Sequence, residues 1–70
     1  MAVKWSAVAP YIEHGFAAGG QVMRAPIVDA AEDDGAADAV VDALDGLGSR
    51  VFNSVDDAKA FLVSQGLVEA

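Results

Sequence analysis

Glycines divide this 70-residue chain into four short segments, and this division limits the fold more than any other feature. The dividing glycines are Gly19-Gly20, Gly35, Gly46 with Gly48, and Gly66. Because glycine commonly ends an α-helix, the spacing predicts four short helices joined by brief connections. No apolar run approaches the 18 or so residues of a membrane-spanning helix.

Apolar residues recur every three or four positions within these segments, which predicts one buried face per helix. We expect helices over residues 5–18, 26–34 and 36–47, and a last helix between Ser54 and Gly66. Pro10 either opens the first helix or kinks it near its start, whereas Pro26 suits the first position of the second. Residues 19–25 are expected to form a linker or turn.

The last helix carries the clearest start and stop signals. Ser54 is in position to act as the N-cap, with Asp57 three residues later in the capping-box position. Gly66 is expected to end the helix, with Leu67 folding back onto Leu62 as in a Schellman motif.

Four short helices with brief connections predict an all-α fold, a compact bundle of three to four helices. We expect residues 1–70 to form a single small helical domain, since domains rarely have fewer than about 50 residues. The expected core is Trp5, Val8, Ile12, Phe16, Ile27, Val40, Leu44, Leu47, Phe52, Val55, Phe61 and Leu62. Residues 51–52 and 63–68 leave room for a short strand.

The composition argues against several classes of protein. The chain has no cysteine and one histidine, which excludes a disulfide scaffold and argues against a zinc site. Its net charge of −7 opposes binding to duplex DNA or to an anionic membrane. Since residues 1–5 lack the features of a signal peptide, we expect a cytoplasmic protein.

No set of side chains in the sequence predicts catalysis or cofactor binding. His14 lacks a partner set at suitable spacing, so we expect it to be structural or solvent-exposed. The glycines within residues 15–20 lack the Gly-Lys-Ser/Thr context of a phosphate-binding loop. A calcium loop with Gly35 at its sixth position would need oxygen ligands at Ala30 and Val41. We therefore expect no enzyme, no cofactor and no metal site.

Ser54 supports an alternative function. It lies in Asn53-Ser54-Val55, which is similar to the Asp-Ser-Leu site where carrier proteins receive phosphopantetheine. In those carriers two helices follow the serine, whereas only 16 residues follow Ser54 in this chain. A carrier or small-molecule binder of the acyl-carrier type is therefore the alternative to a capping role.

The acidic residues are concentrated between positions 29 and 45. This stretch has seven carboxylates and no cation, while the rest of the chain has four acids and four bases. The seven are Asp29, Glu32, Asp33, Asp34, Asp38, Asp42 and Asp45. Because like charges at i, i+4 destabilise a helix, we expect a non-enzymatic interaction module that presents this face to a basic protein. A solvated face, adaptation to a salty cytoplasm and a structural homo-oligomer are the alternatives.

A distinctive order of helix, turn and cap motifs runs from Pro26 to Leu62. Its parts are Ile27-Val28-Asp29-Ala30-Ala31, Asp34-Gly35-Ala36, Val40-Val41-Asp42-Ala43-Leu44, Leu47, Val51-Phe52-Asn53-Ser54 and Asp56-Asp57-Ala58. This order resembles domain-of-unknown-function family 2795, in which a helix followed by Gly-Ala precedes a helix ending in Leu-x-x-Leu and an aromatic-x-Ser segment. The resemblance implies a small helical bacterial domain and carries over no catalytic residue.

Overall fold

A computed structural model describes residues 2–69 of the chain, which form four helices and four very short strands. The elements are β1 (Val3–Lys4), α1 (Trp5–Gly19), β2 (Val22–Met23), α2 (Arg24–Asp33), α3 (Asp38–Asp45), β3 (Val51–Phe52), α4 (Val55–Ser64) and β4 (Val68–Glu69). The four predicted helices are confirmed. None of the helices described for residues 2–69 is long and apolar enough to cross a membrane.

The prediction of an all-α bundle is wrong in one respect, because the strands form two small sheets. β1 pairs in parallel with β4, which places Val3 opposite Val68 near the two ends of the chain. β2 pairs antiparallel with β3, with Val22 opposite Phe52. The sequence left room for a short strand at residues 51–52, which β3 occupies, and at residues 63–68, where β4 begins only at Val68. The other two strands have two residues each, which is too short for the alternating pattern that identifies strands in a sequence. The pairing therefore depends on contacts between distant segments.

The segment 19–25 was predicted as a linker or turn, and the structure corrects this prediction. It contains β2 and the first two residues of α2. As a result Pro26 is the third helical residue rather than the first, a position whose N–H would have no partner within the helix. Pro10 lies at the sixth position of α1 rather than at its start, so α1 lacks one backbone hydrogen bond there.

Glycines end the helices as the sequence predicts. Gly66 has a φ of 74°, a left-handed conformation that favours glycine. The Leu67 N–H donates to the Leu62 carbonyl at 3.1 Å, and the Gly66 N–H donates to the Val63 carbonyl at 3.0 Å. These two bonds define a Schellman motif, which confirms the prediction. Gly35, which follows the end of α2, has the same left-handed conformation, with a φ of 77°.

The core lies where the apolar faces of the helices meet the two small sheets. Six of the twelve expected core residues are fully buried or nearly so: Val8, Ile12, Ile27, Leu44, Leu47 and Leu62. The other six are partly buried and pack against them: Trp5, Phe16, Val40, Phe52, Val55 and Phe61. The expected core omitted Val22, Val68 and Ala31. It also omitted Ala43 and Ala58, although helical spacing places both on the inner faces of their helices, where the structure buries them.

Candidate functional site

α2 and α3 form a helical hairpin that carries the predicted partner-binding residues. Arg24, the first residue of α2, contacts Asp45, the last residue of α3, with Nη1 2.8 Å from Oδ1. Since residues 34–37 join the other ends of the two helices, the helices run antiparallel. We call the seven carboxylates of this hairpin the acidic face: Asp29, Glu32, Asp33, Asp34, Asp38, Asp42 and Asp45.

All seven carboxylates of the acidic face are exposed to solvent. On α3, Asp38, Asp42 and Asp45 follow the i, i+4, i+7 spacing that places them on one side of the helix. Ala43 and Leu44 are the buried residues of the same helix. The structure therefore brings the predicted residues together on one hairpin, with their charges directed to solvent.

Two of the seven carboxylates have a partner within the protein. Asp45 pairs with Arg24, and their side chains remain 59% and 44% exposed, so this surface ion pair contributes about 0–1 kcal/mol. Asp34 accepts a hydrogen bond from the Tyr11 hydroxyl at 2.7 Å. Across residues 2–69, the other five carboxylates make no side-chain hydrogen bond or ion pair. Most of the negative charge of the acidic face is therefore unpaired within residues 2–69.

Two cationic side chains do not pair with these carboxylates. Each of them contacts an aromatic ring instead. The Arg50 guanidinium carbon lies 4.9 Å from the centroid of the Phe61 ring. The Lys59 Nζ lies 5.4 Å from the centroid of the Trp5 ring. Each arrangement is a cation–π contact, which stabilises the cation and requires no carboxylate.

The Tyr11–Asp34 hydrogen bond joins α1 to the residue that follows α2. This bond raises the pKa of Tyr11 above its ordinary value of 10.0, and desolvation and the negative charge of Asp34 act in the same direction. The folded state therefore favours the protonated phenol. Its contribution to stability is fully present below about pH 10 and is lost as the pH rises through the raised pKa.

The variant Asp34→Asn is expected to lower the pKa of Tyr11 toward its ordinary value, because it removes the charged acceptor. Tyr11 is the only tyrosine in the sequence, so the ultraviolet absorbance of tyrosinate follows this residue alone. Asp38→Asn is the matched control, since it removes an exposed carboxylate of the same face that lacks this bond. An unchanged titration midpoint in Asp34→Asn would contradict the assignment.

Two other residues were considered for chemistry. His14 lines a surface pocket together with Tyr11 and Asp34, whereas Ser54 is the N-cap of α4. His14 is exposed, as expected, and makes no side-chain hydrogen bond within residues 2–69. The Ser54 Oγ accepts a hydrogen bond from the Asp57 N–H at 3.1 Å, which confirms its N-cap role. Capping therefore accounts for this serine. Among residues 2–69, no group of three or more His, Cys, Asp or Glu side chains could hold a metal ion.

The sequence did not predict the roles of Tyr11 and Arg24. Each contacts a carboxylate 21 or more positions away, at Asp34 and Asp45 respectively. Helical spacing identifies neighbours three or four residues apart and carries no information on such distant pairs. The excess of acidic residues was visible in the sequence, whereas the two internal partners required the fold.

Comparison with known proteins adds one match, over the same part of the chain. A family model described as "Protein of unknown function (DUF2795)" matches residues 22–58. The matched segment begins at β2 and ends within α4, so it covers more than half of the chain, including the acidic face and the Ser54 cap. No curated protein and no solved structure matches the chain.

Proposed function

The chain belongs to the DUF2795 family of proteins of unknown function, and we propose that it is a non-enzymatic interaction module whose acidic face binds a basic protein. The family match confirms the resemblance seen over residues 26–62. The matched segment holds all seven carboxylates of the acidic face.

The observation that carries the proposal is the set of five exposed carboxylates that make no side-chain hydrogen bond or ion pair within residues 2–69. They are Asp29, Glu32, Asp33, Asp38 and Asp42. Their mutual repulsion disfavours the hairpin on which they lie, and a basic surface would relieve that repulsion. Complementary charge would also speed the encounter with the partner and select against acidic proteins.

The arrangement of polar side chains supports binding rather than catalysis. The Ser54 Oγ is engaged with a backbone N–H, and His14 has no hydrogen-bonded carboxylate or nucleophile within residues 2–69. A nucleophilic or acid–base site needs such contacts between its members. The proposed module therefore acts by charge and shape alone.

A pair of double variants with equal net charge tests the proposal. Glu32→Gln with Asp42→Asn removes two charges of the acidic face that have no internal partner. Glu13→Gln with Glu69→Gln removes two exposed charges outside it. Immobilised wild-type protein is expected to retain basic proteins from a cell lysate at low salt and to release them at high salt, because salt screens exposed charges.

Only the first double variant is expected to lose affinity for a partner captured in this way, by about tenfold at low salt. Mass spectrometry identifies the captured proteins, and titration of a purified partner measures the affinity. If the wild type retains no basic protein at low salt, or if both double variants lose affinity equally, the acidic face is not the binding surface.

A further inference from the structure

A mainly apolar groove runs between α1 and α2, beside the hairpin of α2 and α3 that carries the acidic face. Its volume is about 400 Å³. Gly15, Ala18 and Gly19 of α1 line one side, and Pro26 and Ala30 of α2 line the other. Ala18 and Pro26 are exposed, so the apolar lining is open to solvent.

The two helices on either side of this groove approach closely at Gly15. A Cβ atom at Gly15 would lie 2.6 Å from Cγ1 of Ile27, so glycine permits α1 and α2 to approach closely at this point. A Cβ atom at Gly19 would have no other atom within 4 Å, so the end of α1 leaves the space above the groove open. The groove is therefore closed at its floor and accessible from outside.

Met23 extends the apolar surface from the groove onto the β2–β3 sheet. Its side chain lines the groove and is 38% exposed. Val51 lies opposite Met23 in the antiparallel pair and is 49% exposed. Because directly opposite residues share one face of a sheet, the two side chains lie next to each other beside the groove, where Arg24 and Arg50 line the same surface.

Helical spacing places two carboxylates next to the α2 lining of the groove. Asp29 and Asp33 follow Pro26 and Ala30 by three residues, and residues at this spacing are neighbours on a helix surface. Neither carboxylate has a hydrogen bond or ion pair within residues 2–69. The groove thus combines an apolar lining with an unneutralised acidic edge, a surface complementary to a helix with one apolar and one basic side.

We infer that this groove binds a short, basic, amphipathic helix of a partner protein. The apolar side chains of that helix pack against Ala18, Met23 and Ala30, and its lysine or arginine side chains lie beside Asp29 and Asp33. The inference rests on the proposed function and specifies the chemistry of the partner. It makes the groove and the neighbouring carboxylates of α2 the main contact surface, rather than the three carboxylates of α3.

Three synthetic peptides test the inference, each of about 14 residues or four helical turns. The first has leucines at i, i+3, i+4 and i+7 spacing with lysines elsewhere. The second replaces its leucines with glutamine, and the third replaces its lysines with glutamate. We expect the first to bind at least about tenfold more tightly than either of the others by calorimetry. The ring proton signals of His14, the only histidine and a groove residue, should shift in its presence.

Two matched pairs of variants locate the binding surface. Ala18→Phe fills the groove from an exposed position, whereas Ala17→Phe adds the same bulk at the exposed neighbouring position outside it. We expect Ala18→Phe alone to weaken binding of the leucine–lysine peptide, by about tenfold. Asp29→Asn with Asp33→Asn is likewise expected to weaken it more than Asp38→Asn with Asp42→Asn. Circular dichroism verifies that each variant is folded.

Each contrary result has a separate meaning. If the glutamine–lysine peptide binds as tightly as the leucine–lysine peptide, the groove inference is overturned while the proposed function stands. If neither lysine peptide binds, the groove inference is overturned, and the capture of basic proteins at low salt decides the proposed function separately. If the protein alone forms a dimer that Ala18→Phe dissociates, a second copy of the chain occupies the groove, and the inference of a basic partner helix is overturned.

Discussion

Leu44→Ala is expected to remove most of the free energy of unfolding of the protein. Leu44 lies in α3 with its side chain fully buried, and it belongs to the central core cluster. Truncating a buried leucine costs about 2–5 kcal/mol, through the lost transfer free energy and the cavity left behind. A single core in a chain below about 70–80 residues rarely supplies more than about 3–5 kcal/mol. The substitution therefore removes most of the available stability.

Urea denaturation followed by circular dichroism measures this effect. Val63→Ala is the matched control, because Val63 is exposed on α4 and its truncation is expected to change the free energy of unfolding by less than about 0.5 kcal/mol. A Leu44→Ala protein with a cooperative transition close to that of Val63→Ala would show that α3 does not pack as described. The control also separates core packing from any general effect of replacing an aliphatic residue with alanine.

The parts of the fold that the sequence predicted depend on neighbours close along the chain. The Ser54 cap joins residues three apart, and the Schellman motif at Gly66 involves six consecutive residues. Amphipathic spacing is equally local, which is why four helices were predicted with most boundaries within two residues of those observed. Such features are determined by backbone geometry and need no knowledge of the tertiary structure.

The parts that were missed depend on contacts between distant segments. Val22 and Val68 are buried because each lies in a two-residue strand that pairs with a remote strand. Ala31 is buried because a small side chain fits where elements pack closely, and its size hid this role in the sequence. Ala43 and Ala58 are buried too, and for these two alanines helical spacing alone identified the inner face.

The acidic face shows the same division between local and distant information. Its seven residues and their excess charge are properties of a 17-residue stretch, and the sequence identified them. The engagement of Asp34 by Tyr11 and of Asp45 by Arg24 depends on how α1, α2 and α3 pack. These two contacts matter for function, because they leave the other five carboxylates as the charges available to a partner.

Val22→Thr is expected to lower the free energy of unfolding by about 1–3 kcal/mol, because it places a hydroxyl group in the core. Val22 is fully buried in β2, a segment that the sequence assigned to a linker or turn. Threonine has nearly the same shape as valine and is also β-branched, so the substitution leaves size and strand propensity almost unchanged. The expected loss therefore measures burial of residue 22 rather than a change in backbone preference.

Val51→Thr provides the matched comparison within the same small sheet. Val51 lies opposite Met23 and is 49% exposed, so its hydroxyl would remain hydrated and the expected change is below about 0.5 kcal/mol. Urea denaturation of both variants measures the difference. Equal effects would mean that residue 22 is as hydrated as residue 51, as in a surface linker. A larger loss for Val22→Thr would establish that β2 is held by the core and that the α1–α2 connection, which borders the groove, has a fixed shape.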